Sequence, residues 1–206
     1  MMWLAAGTVA RGWALAEQGQ GEAGIAQIRQ GIAALQATGT AGARPFVLAL
    51  LAEAYRQVGQ TEEGLRVLTE ALTVVDNTGE CLYAAELYRL KGVLTLRQYH
   101  VASVKSQAPI PPPLHSNSQA EVEAEAYFQQ AIEIARRQRA KSLELRAVMS
   151  LSHLWQQQGK RAEAHELLAE VYNWFTEGFD TVDLQEAKAL LDQLKGYTRW
   201  LPAGAT

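Results

Sequence analysis

Apolar side chains recur at spacings of three and four residues along most of this chain, which is the period of one face of an α-helix. From Ala41 to Gly79 the pattern predicts a helix over about Ala43 to Val58, a turn at Gly59 to Thr61 and a second helix over about Glu62 to Asn77. Neither helix can bury its apolar stripe alone, so the pair predicts further copies of itself. The predicted buried positions are Leu48, Leu51, Ala52, Tyr55, Gly64, Leu68, Ala71, Leu72 and Val75.

The copies align when the sequence is written in rows of forty residues. One column of small residues holds Gly12, Ala52 and Gly92, and Ser152 joins it when twenty residues after Gln98 are removed. A second small column, four places before a bulky one, holds Gly24, Gly64, Ala124 and Ala164. The bulky column holds Ile28, Leu68, Phe128 and Leu168, and three places later come Gly31, Ala71, Ala131 and Val171. Small residues let helix axes approach closely while bulky residues fill the neighbouring groove.

This register predicts an all-α fold, an α-solenoid of four helix hairpins with a C-terminal capping helix. The predicted array spans residues 1–196, with units at 1–39, 40–79, 80–139 and 140–179, a cap at 183–195 and a tail at 197–206. Gly19, Gly59 and Gly159 mark turns within hairpins, and Thr38-Gly39 recurs as Thr78-Gly79 between units.

The third unit is interrupted between a helix over about Glu80 to Gln98 and another over about Glu121 to Arg139. The predicted insert, residues 99–120, contains the stretch Ala108-Pro109-Ile110-Pro111-Pro112-Pro113, which excludes a helix and favours an extended conformation. Two interpretations stay open: a tolerated insertion at a hairpin tip, or a loop that recognises a partner.

At these columns the sequence resembles the tetratricopeptide repeat (TPR) family, whose pattern is small then aromatic on the first helix, and small, bulky, small on the second. The matching residues are Ala52, Tyr55, Gly64, Leu68 and Ala71, then Ser152, Trp155, Ala164, Leu168 and Val171, and in part Ala124, Phe128 and Ala131. The period of 40 exceeds the family's usual period of about 34, the usual proline after the second helix is absent, and Lys91 takes an apolar place. The long repeats look like the divergent TPR arrays at the C-terminal part of bacterial signalling ATPases coupled to cyclase or DNA-binding domains. That likeness implies that the catalytic parts of such proteins are missing here.

The two ends of the predicted array differ. The last helix places Leu184, Ala187, Leu190, Leu191 and Leu194 on one side, so it predicts a cap over the final repeat. The first residues, Met1-Met2-Trp3-Leu4, predict an exposed apolar end without a polar cap. Such an end favours self-association or contact with a further repeat upstream.

Charge and composition exclude several classes of function. The formal net charge of −3 gives no long-range attraction to nucleic acid or anionic membrane, and the basic run Arg136 to Lys141 offsets the dipole at a helix end. No apolar run reaches the length of about 20 residues that spans a bilayer. The single cysteine, Cys81, rules out an intramolecular disulfide. We therefore expect a cytoplasmic protein with no nucleic-acid and no membrane partner.

The residues contain no chemical signature. A phosphate-binding glycine loop with its lysine is absent, and His100, His115, His153 and His165 lack the spacing of a zinc site. The sequence predicts no catalytic residue, no metal and no cofactor, and hence a protein that is not an enzyme.

The resemblance implies that the first helices line a concave groove for a peptide or protein partner. The groove positions carried over from the family are Trp13, Phe46, Glu53, Arg56, Glu86, Arg89, Arg146, Met149, His153 and Gln156. The arginines either grip an acidic peptide or pair with Glu53 and Glu86 across the groove. The resemblance gives no support for the lysine and asparagine clamp that binds C-terminal carboxylates in some TPR domains.

We expect a non-catalytic protein-interaction scaffold, a regulatory or sensor module of a bacterial signalling system. The alternative is a self-assembly module that forms a homodimer through the N-terminal end and the insert. A small-ligand sensor that uses the groove is a third interpretation.

Overall fold

The computed structural model describes residues 2–37, 43–105 and 118–195, and these residues are helical with short turns and no strand. The chain divides into two compact units, Met1–Pro112 and Pro113–Thr206. Unit 1 contains α1 (Met2–Glu17), α2 (Gly21–Ala37), α3 (Arg44–Gln57), α4 (Thr61–Thr78) and α5 (Ala84–Lys105). Unit 2 contains α6 (Gln119–Gln138), α7 (Lys141–Gln157), α8 (Arg161–Tyr172) and α9 (Val182–Lys195). The predicted all-α class is confirmed.

Within each unit, helices that follow one another in the chain pack together. The hairpin of α3 and α4 has nearly the predicted bounds, with Pro45 in the first turn of α3 and Gly79 in a left-handed conformation after α4. Its predicted stripe is buried except for Val75, which is partly buried against the same core. The turn predicted at Thr38-Gly39, the proline-rich stretch and the tail 197–206 lie outside the described residues.

The small-residue columns meet at the helix crossings. A Cβ atom added at Gly24 would lie 2.6 Å from the carbonyl oxygen of Gly12, so the backbones of α1 and α2 are in direct contact. In unit 2 the residues of the same two columns meet again, because the hydroxyl of Ser152 donates to the carbonyl oxygen of Ala164 at 3.3 Å. The bulky column is buried throughout, and its members are Ile28, Leu68, Phe128 and Leu168. The forty-residue register therefore describes real contacts between helices.

Left-handed residues close the turns within three hairpins. Gly19, Gly59 and Gly159 lie at the predicted turns and have φ values of 82°, 80° and 81°. In each turn the next amide donates back to a carbonyl five residues earlier, for example Gln60 N to Tyr55 O at 3.0 Å. The turn from α6 to α7 has the same geometry, but Arg139 holds the left-handed position with φ of 54°.

The helix before the insert is longer than predicted. The predicted end at Gln98 and the predicted start of the insert at residue 99 are corrected, because α5 continues to Lys105. No proline or glycine occurs in that stretch, so nothing there breaks the helix. At the other side α6 begins at Gln119, and the side chain of Ser118 caps it by accepting from the amide of Glu121 at 3.2 Å.

The first and last helices differ in how far their apolar residues are buried. All five apolar residues named for the cap are buried in α9, whereas Trp3 and Leu4 in α1 are 83% and 77% exposed. The end is nevertheless not uniformly apolar. Where α3 buries Val47, Leu48 and Leu51, the residues forty places earlier in α1 are Gly7, Thr8 and Arg11.

Replacing Gly24 with alanine should destabilise unit 1. Overpacking typically costs about 1–3 kcal/mol. The added Cβ would collide with backbone atoms of Gly12 and Ala16, which cannot move aside, so we expect a cost in the upper part of that range. This cost exceeds the gain of about 1 kcal/mol in helix propensity on replacing glycine with alanine. Gly64→Ala is the matched control, because the nearest atom to its added Cβ is the terminal methyl group of Leu94 at 2.8 Å, and the backbone oxygen of Ala52 lies at an ordinary contact distance of 3.5 Å. Urea denaturation should show a loss for Gly24→Ala and no loss for Gly64→Ala. Equal midpoints for the two variants would contradict the close crossing.

Replacing Arg139 with glycine should stabilise unit 2 by about 1 kcal/mol, because glycine adopts the left-handed conformation without the steric cost of a side chain. Gly159→Ala, in the equivalent turn, should destabilise by a similar amount, since the space around Gly159 is open and only the backbone conformation is strained. Thermal unfolding of both variants checks the pair. A lower melting temperature for Arg139→Gly would show that its side chain contributes more than its conformation costs.

Candidate functional site

An open apolar groove lies on unit 1. It has a volume of about 460 Å³, and helices α1, α2 and α3 supply its walls. Its lining contains no charged residue and consists of Trp3, Ala6, Val9, Ala10, Trp13, Leu35, Ala43, Phe46, Val47 and Leu50. We call this surface the unit 1 groove.

The sequence of α1 explains how the groove arises. Trp3, Ala6, Ala10 and Trp13 follow one another at spacings of three and four residues, so they lie along one face of the helix. The two alanines in the middle leave room between the two tryptophans. On the other side the ring of Phe46 packs on Tyr83 with centroids 4.6 Å apart, which supports the wall that α3 contributes.

Two of the ten predicted groove residues, Trp13 and Phe46, line this surface. Sequence reasoning missed Trp3, Val9, Leu35, Val47 and Leu50 as lining residues. The sequence carries a signal for Trp3, because it shares a helical face with Trp13, although the prediction places Trp3 only in an exposed apolar end. The sequence does not distinguish the aliphatic lining residues from core residues, because both recur at the helical spacing of three and four residues.

The predicted charged residues of unit 1 are paired within their own helices. Arg56 donates to both carboxylate oxygens of Glu53 at 2.6–3.0 Å, and Arg89 donates to both oxygens of Glu86 at 2.7 and 2.8 Å. The hydrogen bonds to Glu53, opposed by burial, raise the pKa of Arg56, which therefore stays cationic. Pairing with Glu53 and Glu86, one of the two interpretations left open by the sequence, occurs one helical turn apart and so does not cross the groove.

The other four predicted residues belong to unit 2. The guanidinium of Arg146 lies 3.7 Å from the carboxylate of Asp183 on α9, Met149 is buried, and Gln156 is partly buried. His153 lies at the surface of α7, where desolvation by its surroundings lowers the pKa of the imidazole and the charge of Glu186 partly offsets this. Apart from the buried Met149, these residues place polar side chains on α7, and Arg146 and His153 lie near acidic residues of the cap helix α9.

The basic run at the end of α6 also serves unit 2. Arg136 and Lys141 donate to the two oxygens of the buried carboxylate of Glu144 at 2.8 and 2.7 Å. Burial raises the pKa of Glu144, but the hydrogen bonds from the two cations outweigh it and hold the pKa below its ordinary value. Arg136 thus joins α6 to α7, whereas Lys141 pairs with Glu144 within the first turn of α7.

Among the described residues, no group of three or more histidine, cysteine or acidic side chains is placed to hold a metal ion. No helix in that part of the chain combines the length and apolarity needed to cross a membrane.

Comparison with known proteins places the fold. No family model and no curated protein matches the sequence. Among solved structures, the chain is similar to the nearly identical TPR-like repeats of a Podosopora anserina putative kinesin light chain, with 17% identity, a TM-score of 0.59, and coverage of 94% of this chain and 86% of that one. A single-substitution variant of that protein matches with 17% identity, a TM-score of 0.54 and 92% coverage of both chains. At this identity the likeness shows the fold alone, and it confirms the predicted TPR-like α-solenoid class.

Replacing Glu186 with glutamine should lower the pKa of His153 further, because the variant removes the negative charge that favours the imidazolium form. An NMR titration of the imidazole signals measures the shift, and His153→Gln assigns the resonance. Glu166→Gln, an exposed carboxylate on α8, is the control and should leave the value unchanged. A raised or unchanged pKa in Glu186→Gln would show that Glu186 does not act on His153.

Proposed function

We propose that this protein is a non-catalytic protein-interaction scaffold that captures an apolar segment of a partner in the unit 1 groove. The observation that carries the proposal is the groove itself, with about 460 Å³ of space and a lining without charged residues. Protein-binding hot spots are enriched in tryptophan and other large aromatic residues, and a partner's apolar side chain gains most where water is fully excluded. Trp3, Trp13 and Phe46 offer such a contact.

The TPR-like fold supports this interpretation, because stacked helix pairs form extended surfaces rather than reactive pockets. The resemblance to signalling arrays supports the finer proposal, a regulatory or sensor module of a bacterial signalling system in the cytoplasm. It also supports one TPR-like array over residues 1–196. The paired arginines make an acidic peptide the weaker choice of partner, since Glu53 and Glu86 already hold Arg56 and Arg89.

Self-assembly is the second candidate function. The exposure of Trp3 and Leu4 favours it, because contiguous apolar surface at the end of a helix commonly marks a contact with another chain. Most of the insert named in this hypothesis lies outside the described residues, so the structure supports only the N-terminal half of it.

Introducing a charge into the groove should abolish capture of a partner while the fold persists. Ala10 is exposed and lines the groove, so Ala10→Glu places a carboxylate among apolar walls with little effect on the core. The measurement compares proteins retained from a lysate of the source cell by wild type and variant. Circular dichroism should show the same helix content in both.

Ala33→Glu is the matched control, because Ala33 is also an exposed alanine of unit 1 but does not line the groove. It should retain the same proteins as the wild type. Identical capture by Ala10→Glu and the wild type would refute the groove as the binding site.

A further inference from the structure

The exposed side chain of Trp3 lies at the rim of the unit 1 groove, beside the apolar recess that the groove forms. Trp3 is 83% exposed and stands where the groove meets the outer face of α1 near Leu4, Gly7 and Arg11. Its neighbours Ala6 and Ala10 are too small to cover the ring. One surface therefore presents a large apolar projection beside an apolar recess.

Such a surface is complementary to itself. In a two-fold dimer the same patch serves both copies, so a projection and a recess side by side can each engage the other's counterpart. No lining residue is charged, so two copies bring no like charges together within the recess.

We propose that the occupant of the groove is Trp3 of a second copy of this chain, with the two copies related by a two-fold axis. This rests on the proposed function, because both require that the groove accepts apolar side chains. The dimer would hold the groove closed until a partner displaces the second copy.

The expected dimer is weak. A large aromatic side chain contributes about 150–250 Å² of buried area, so Trp3, Trp13 and Phe46, which are already partly covered, supply only about half of the roughly 800 Å² per partner of a standard interface. We therefore expect reversible association in the micromolar to millimolar range, which a stronger partner can displace.

Sedimentation equilibrium of the full chain from low micromolar to near-millimolar concentration tests the proposal. The wild type should show a monomer–dimer equilibrium, and Trp3→Ala should raise the dissociation constant by about tenfold or more, as expected for a central aromatic contact. Trp174→Ala removes another exposed tryptophan, in unit 2 and outside the groove, and should leave the equilibrium unchanged. A wild type that stays monomeric, or equal effects of the two tryptophan variants, would overturn the proposal.

Mixing variants tests the geometry. Trp3→Ala lacks the projection but keeps the other nine residues that line the recess, while Ala10→Glu keeps the projection but places a carboxylate in the recess, so each alone should dimerise more weakly than the wild type. A mixture should form more dimer than either variant alone, because one productive contact is restored. No gain on mixing would refute insertion of Trp3 into the groove.

The two proposals fail separately. If the wild type stays monomeric while Ala10→Glu loses a captured protein, the dimer is refuted and the groove remains the binding site for another protein. Dimers that depend on Trp3, with capture unaffected by Ala10→Glu, would refute the proposed function and leave the dimer standing.

Discussion

Contact between helix backbones at small residues is the constraint on which the rest of this structure depends. Gly12 and Gly24 bring α1 and α2 together so closely that neither position has room for a Cβ atom. Ser152 and Ala164, of the same two columns, make the corresponding contact between α7 and α8 through a hydrogen bond. Because the crossing sets where each helix lies, it also sets which side chains reach the bulky column and which remain at the surface.

The unit 1 groove follows from that arrangement. With one face of α1 held against α2, a second face carries Trp3, Ala6, Ala10 and Trp13 beside α3. The alanines keep the space open and the aromatic residues bound it. Farther along the predicted groove, Arg56 and Arg89 are paired with carboxylates one helical turn away, whereas the lining of the unit 1 groove carries no charge.

Much of the fold could be predicted from the sequence, because local rules and tertiary packing agree. The small and bulky columns, the left-handed glycines and the buried face of the cap helix each follow from spacing alone. Other features required coordinates. A left-handed arginine at Arg139 breaks the local rule, and the extension of α5 to Lys105 crosses a stretch whose pattern is weak. The sequence predicted only two of the residues that line the unit 1 groove, because its aliphatic wall residues have the same spacing as core residues.

A double-mutant cycle at Gly12 and Gly24 tests the close helix crossing most directly. The Cβ of each alanine would collide with the backbone at the opposite position. A single substitution already forces the two helices apart, so the second substitution then costs less than it does alone. We predict that the free energy lost by the double variant falls short of the sum of the single losses by about 0.5–3 kcal/mol, the range for residues in contact. Additivity within about 0.5 kcal/mol would contradict the close crossing, because that is the behaviour of independent sites.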